Sequence, residues 1–202
     1  RDIALRIDYE GRRSINEIIL THPARRLYLL IERYQREFPR GTPIVCACEH
    51  GRMDDVELFM NLHPFHKYIT NRDVNGYRDD MTLKDMVSQV GRTSDGLELT
   101  PLMIAVYNEH FQIVKYLIEQ GEADPNIACS EYGYNALHLA AVHNENSINV
   151  IKYLLLNMSL NCINHSDNEG RTPLDSVYQS NDSEIKDEII QLIHKHGGIS
   201  HK

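Results

Sequence analysis

Apolar residues recur along this chain at helical spacing, in short stretches that come in pairs. The first stretch of each pair has a common opening: Thr42-Pro-Ile-Val-Cys-Ala47, Thr100-Pro-Leu-Met-Ile-Ala105, Asn135-Ala-Leu-His-Leu-Ala140 and Thr172-Pro-Leu-Asp-Ser-Val177. Thr before Pro predicts a helix start, because the hydroxyl can cap free backbone N–H groups and Pro loses nothing at the first helical position. Small pairs follow, Ala47-Cys48, Ala105-Val106 and Ala140-Ala141, which let a short helix lie close against its neighbours. The second stretch carries apolar residues four apart: Ile113/Leu117 with Val114/Ile118, Val150/Leu154 with Ile151/Leu155, and Ile185/Ile189/Ile193. Gly51, Gly121 and the pair Gly197-Gly198 end these helices. Turn-forming stretches such as Ala123-Asp-Pro-Asn126 and Asp167-Asn-Glu-Gly170 separate the pairs. No strand-like alternation of useful length appears. The expected fold is an all-α array of helix pairs.

The spacing is a true repeat. Ile113-Val-Lys-Tyr-Leu-Ile118 and Val150-Ile-Lys-Tyr-Leu-Leu155 are near copies 37 residues apart, and the openings at Thr100, Asn135 and Thr172 are offset by 35 and 37. Upstream, Asp8-Tyr-Glu-Gly-Arg12 parallels Asp167-Asn-Glu-Gly-Arg171. The helix expected next sets Leu27, Leu30, Ile31, Tyr34 and Phe38 on one stripe, with Arg25, Arg26, Arg33 and Arg36 opposite. A polar-faced end unit keeps an open array soluble, so residues 1–40 read as a cap. Thr42 and Thr100 lie 58 residues apart, about 25 more than one unit needs. The excess falls in 71–99, with a helical pattern of its own at Leu83, Met86, Val87 and Val90. The expected organisation is one domain over 1–202: a cap at 1–40, units at 41–70, 100–130, 131–166 and 167–202, and the insertion at 71–99.

The openings, the turn Asp167-Asn-Glu-Gly-Arg-Thr-Pro-Leu174 and the Leu-His-Leu run at 137–139 resemble the ankyrin-repeat family over roughly 160 residues. The resemblance implies a solenoid of stacked helix pairs joined by inter-repeat turns or hairpins. It also implies that His138 bonds to the backbone of a neighbouring turn. About the target it is nearly silent.

Composition narrows the classes. The chain is 42% hydrophobic and 25% charged, an ordinary globular balance. Its longest apolar run, Leu102 to Tyr107, is six residues, against about 20 for a membrane span. The net charge is −8: residues 1–40 carry +3 through nine Arg, while 41–202 carry −11. A face gripping nucleic acid through phosphates should be basic, so no nucleic-acid partner is expected. Four cysteines at irregular spacing fit free thiols in an intracellular setting, cytoplasmic or nuclear. The chain begins at Arg1, which reads as a fragment of something longer.

Candidate chemistry is thin. Cys46-x-Cys48-x-His50 has zinc-binding residue types, but helix residues two apart point in different directions and cannot share an ion. His63 and His66 flank a Pro, and His194, His196 and His201 suit a helix C-terminus. No nucleophile–base spacing and no phosphate-cradling glycine loop occurs, so no active site, metal or cofactor is expected.

The positive signal comes through the repeat register. In an ankyrin-like array the turn tips and the exposed side of the first helices form one concave strip. It would comprise Glu49, His50, Tyr107, Asn108, Glu131, Tyr132, Tyr134, Val142, His143, Asn168, Glu169, Arg171, Gln179 and Ser180. Tyrosines on adjacent units offer large contact area at low entropic cost. The expected function is a monomeric, non-catalytic scaffold that holds another protein on this strip, an extended segment with basic character. The alternative is the regulatory or targeting part of a larger enzyme or channel.

Overall fold

Each inner helix begins where a Thr or Asn in extended conformation hands over to a helix former. In the computed structural model, which describes residues 23–37, 42–62, 82–93, 96–142, 147–180 and 185–201, four such helices appear: α2 (Pro43–Glu49), α5 (Pro101–Tyr107), α7 (Ala136–Val142) and α10 (Pro173–Gln179). Each is followed by an outer helix: α3 (Met53–Leu62), α6 (Phe111–Glu119), α8 (Ser147–Asn157) and α11 (Lys186–Lys195). Ahead of them lies α1 (Pro23–Glu37). Between units come α4 (Leu83–Ser88), the two-residue strands β1 (Gly91–Arg92) and β2 (Glu98–Leu99), and α9 (Leu160–Ile163).

The helices stack in two rows. Inner helices pack in series, α2 on α5, α5 on α7 and α7 on α10, while α3, α6, α8 and α11 form the outer row. Small residues permit this closeness: Ala47, Cys48, Ala105, Ala140 and Ala141 are all buried. The helix-spaced pairs supply the shared core, with Ile113, Val114, Leu117, Val150, Ile151, Leu154, Leu155, Ile189 and Ile193 buried. Each fully buried aliphatic side chain contributes about 1.5–3 kcal/mol. The exposed pairs Arg36–Glu32, Lys115–Glu119 and Lys152–Glu188 contribute about 1 kcal/mol or less each. The apolar spine, not surface charge, holds the stack.

At the N-terminal end α1 packs on α2 and α3, burying Leu27, Leu30, Ile31 and Tyr34 and leaving Arg25, Arg26, Arg33 and Arg36 exposed. Tyr34 donates its hydroxyl hydrogen to Asp55 at 2.7 Å, and Arg33 pairs with the same carboxylate. The expectations for residues 8–12, Phe38, His63, His66 and 71–81 fall outside the described residues.

Inside the insertion the pattern is part helix, part hairpin. Thr82 and Asp85 cap α4 reciprocally, and Met86 and Val87 are buried. Val90 does not join that face: the helix stops at Ser88, Gln89 turns extended, and Val90 is exposed. An antiparallel hairpin follows, with Gly91 opposite Leu99 and Arg92 opposite Glu98. It delivers the chain to Thr100, whose hydroxyl accepts from Met103 N–H at 3.2 Å. Glu109 stands at φ 57°, nine residues past its cap, where Gly51 stands at φ 65° in the preceding unit.

Candidate functional site

The inner helices and the turns before them enclose a groove of about 420 Å³ along one side of the stack. Its floor is set by repeat register. Tyr107, Val142 and Gln179 each fall seven positions after their helix cap, and Leu139 and Ser176 fall four after theirs. Its wall comes from the turn tips: Leu97 to Leu99 before α5, and Glu131, Tyr132 and Tyr134 before α7. The second tip is held like a small hairpin, through a bridge between Ala128 and Asn135. Tyr132 and Tyr134 stack with ring centres 5.6 Å apart, and Tyr134 lies 5.7 Å from His138. Val142 is 58% exposed and Tyr132 42%, so apolar surface faces solvent.

Two side chains tie the wall to the floor. Arg171 donates through Nε to Asp167 at 2.8 Å, through one terminal nitrogen to Gln179 at 3.4 Å and through the other to the Tyr134 hydroxyl at 2.9 Å. Glu169 pairs with it at 2.8 Å. Burial alone would raise the Asp167 pKa, but hydrogen bonds from Arg171 and from the Glu169 N–H outweigh it and hold the carboxylate below its usual range. His138 is buried beneath the tyrosines. Its Nε2–H donates to the Arg171 carbonyl at 3.0 Å, so in the neutral ring Nδ1 keeps a lone pair and accepts the Asn135 N–H at 3.3 Å. Burial lowers its pKa, keeping it neutral near pH 7.

Adjacent turns are laced together. Asn168 donates from Nδ2 to Glu131 O at 2.9 Å and from its backbone N–H to Tyr132 O at 3.0 Å. His165 donates to Gly133 O at 3.1 Å, and Asn135 Nδ2 donates to Cys162 O at 2.7 Å. The groove is therefore preformed.

Residues 79–164 match the sequence profile of the family described as ankyrin repeats (3 copies). The paired helices in two rows and the turns bonded from unit to unit agree with that match. Residues 79–164 of the chain are ankyrin repeats. Ankyrin repeats are generally protein–protein interaction modules and are typically non-catalytic. A stretch of 89 residues, 43% of the chain, is 36% identical to the zinc finger CCCH domain-containing protein 47 of Arabidopsis thaliana, and it spans 15% of that protein's length.

Of the strip expected from the ankyrin register, Tyr107, Glu131, Tyr132, Tyr134, Val142, Arg171, Gln179 and Ser180 line this one groove. The others do not. Glu49 and His50 lie a unit away: the Glu49 carbonyl accepts from His110 at 3.3 Å, and the His50 ring bonds the Cys46 carbonyl at 2.9 Å. Asn108 caps its own helix through the Ile104 carbonyl at 3.0 Å. Asn168 and Glu169 sit behind the wall, bonded to the Glu131 carbonyl and to Arg171. His143 falls outside the described residues. Sequence reasoning missed Leu97, Glu98, Leu99, His138, Leu139 and Ser176 as lining residues. The same register could have found Leu97 and Leu99, which fall 35 positions before Tyr132 and Tyr134.

The other candidate chemistry has its own places. Cys46 and Cys48 are buried in α2, and burial pushes the Cys46 thiol up to about 11 and the Cys48 thiol higher still, so both stay protonated. Among the described residues no group of three or more His, Cys, Asp or Glu is arranged to hold a metal ion. None of their helices is long and apolar enough to cross a membrane.

Proposed function

We propose that this ankyrin array is a non-catalytic adaptor that holds a segment of a partner polypeptide in the groove between the turn tips and the inner helices. The observation that carries the reading is the exposed apolar surface of Tyr132 and Val142 together in a preformed groove, whereas the other exposed large apolar side chains among the described residues, Val90, Leu156, Leu160, Tyr178 and Ile199, do not line it. Apolar surface concentrated in a concavity with a polar rim is the usual anatomy of an interaction site. An intracellular setting is part of the proposal, on the ground of four free cysteines, three of them buried.

Display of a random peptide library on the immobilised protein tests it. Wild type should enrich a consensus, and the pair Tyr132→Ala with Val142→Asp should lose enrichment while keeping its thermal midpoint. Equal enrichment by the variant would remove the groove from the assignment. A second reading, an ankyrin segment serving a larger protein, is favoured by the small share of the Arabidopsis relative that the chain spans. Sequencing the full-length transcript separates the two.

A further inference from the structure

The groove's lining charges are unequal in a way the residue types conceal. Arg171 is the cation among them, and it is spent internally. Its three nitrogens face Asp167, Glu169, Gln179 and the Tyr134 hydroxyl, and its side chain keeps only 17% of its exposure. With two carboxylates against one guanidinium, that corner presents no free positive charge to a ligand. Glu98 and Glu131 lie further along the groove, both exposed. Arg92 pairs with Glu98 at 2.9 Å, so the groove and its immediate partners hold four carboxylates against two guanidiniums. Between the acids lies an apolar seat formed by Tyr107, Tyr132, Leu139 and Val142.

We infer that the segment held in this groove carries a large apolar side chain flanked by Lys or Arg, the apolar group entering the seat and a cation meeting Glu131, since Glu98 is already paired with Arg92. This rests on the groove reading and adds the partner's chemistry to it. An acidic segment would meet the same carboxylates with no free guanidinium to offset them, and like-charge juxtaposition is the stronger discriminator at an interface. The contribution of exposed charges is screened by salt, whereas that of the apolar seat is not.

A peptide array tests it directly, with Leu, Phe or Trp at a central position and flanks of Lys/Arg, Gln or Asp/Glu. Basic-flanked peptides should bind best, and their advantage should shrink as salt rises from about 50 to about 500 mM. Glu131→Lys should weaken them by at least about fivefold and leave Gln-flanked peptides unchanged. Should that variant fold poorly, the salt dependence of wild type still decides. Equal or better binding of Gln- or Asp/Glu-flanked peptides overturns the charge assignment while leaving the groove reading intact. Concentration-dependent self-association that Val142→Asp removes overturns it in favour of a second copy of the chain. Failure of every peptide class with no self-association overturns the groove reading itself.

Discussion

Four residues open the four inner helices, and their side chains meet different fates. Thr172 is fully paired: its hydroxyl accepts from Asp175 N–H at 3.2 Å and donates to Ile199 O at 2.8 Å, and Asp175 returns a bond to the Thr172 N–H at 2.9 Å. Burial alone would raise the Asp175 pKa, but hydrogen bonds from Ser200, Thr172 and His201 outweigh it and hold the carboxylate at about 2. Asn135 does the same task with an amide, accepting from the backbone of Leu137 and His138 at 3.1 Å. The Thr42 hydroxyl has no partner among the described residues although it is buried. A buried polar group without a partner costs about 1–3 kcal/mol, and an apolar replacement of the same shape recovers part of that. Thr42→Val should therefore range from neutral to about 1 kcal/mol stabilising. Thr172→Val should cost about 1–2 kcal/mol, the usual loss for a helix cap. Urea unfolding with an unchanged slope distinguishes them, and destabilisation of similar size at both sites would refute the contrast.

Among the elements, the hairpin β1–β2 shows what the sequence conceals. The inner and outer helices were legible because each repeats the same apolar spacing, and a period seen four times is strong evidence. Strands of two residues cannot show an alternation, so Gly91–Arg92 and Glu98–Leu99 left no such signal, and Leu97 and Leu99 went unnoticed as groove residues. The engagement of Arg171 was hidden for another reason: Asp167 and Glu169 reach it only once their turn is folded. Exposure misled at Tyr134, which is half-buried with its hydroxyl bonded to Arg171. The hairpin's fit has one strict requirement. A Cβ at Gly91 would lie 2.2 Å from Thr42 Oγ1 and 2.7 Å from Val45 Cγ2, inside the close approach of the hairpin to α2. Gly91→Ala should cost about 1–3 kcal/mol through that overpacking. Gly96→Ala at the same hairpin's turn meets no neighbouring atom, but its φ of 87° strains it instead. Thr42→Ala in the Gly91→Ala background removes the Thr42 Oγ1 clash and should still leave much of the loss, because Val45 Cγ2 remains 2.7 Å from the added Cβ. Thermal denaturation of both variants reads this, and full recovery in the double variant would place the clash on Thr42 alone.

At the scale of the whole molecule, a linear stack is as strong as the interfaces between its units, and the interface joining α7 to α10 passes through a titratable ring. His138 bridges from the start of its own helix to the Arg171 carbonyl in the next unit. The groups facing it are Asp167, Arg171 and His165, the last with its ring perpendicular at 6.1 Å. Asn135 Oδ1 lies 2.8 Å from Nδ1 and would receive a second proton's hydrogen bond, but burial outweighs that gain and holds the folded pKa below the ordinary 6.5. The sign follows from proton binding. Above pH 6.5 neither state is protonated and the contribution is fully present. As pH falls below that value the unfolded chain takes up a proton that the folded one resists, so stability declines toward the folded pKa. The lowered carboxylates of Asp167 and Asp175 work in the same direction but start near 3.8, so the windows separate. A thermal midpoint measured from pH 7.5 to 5 should fall in wild type and fall less in His138→Gln, whose amide cannot titrate. Below about pH 4 the two should decline in parallel. Identical slopes between pH 6.5 and 5 would show that the ring does not couple the two units to acidity.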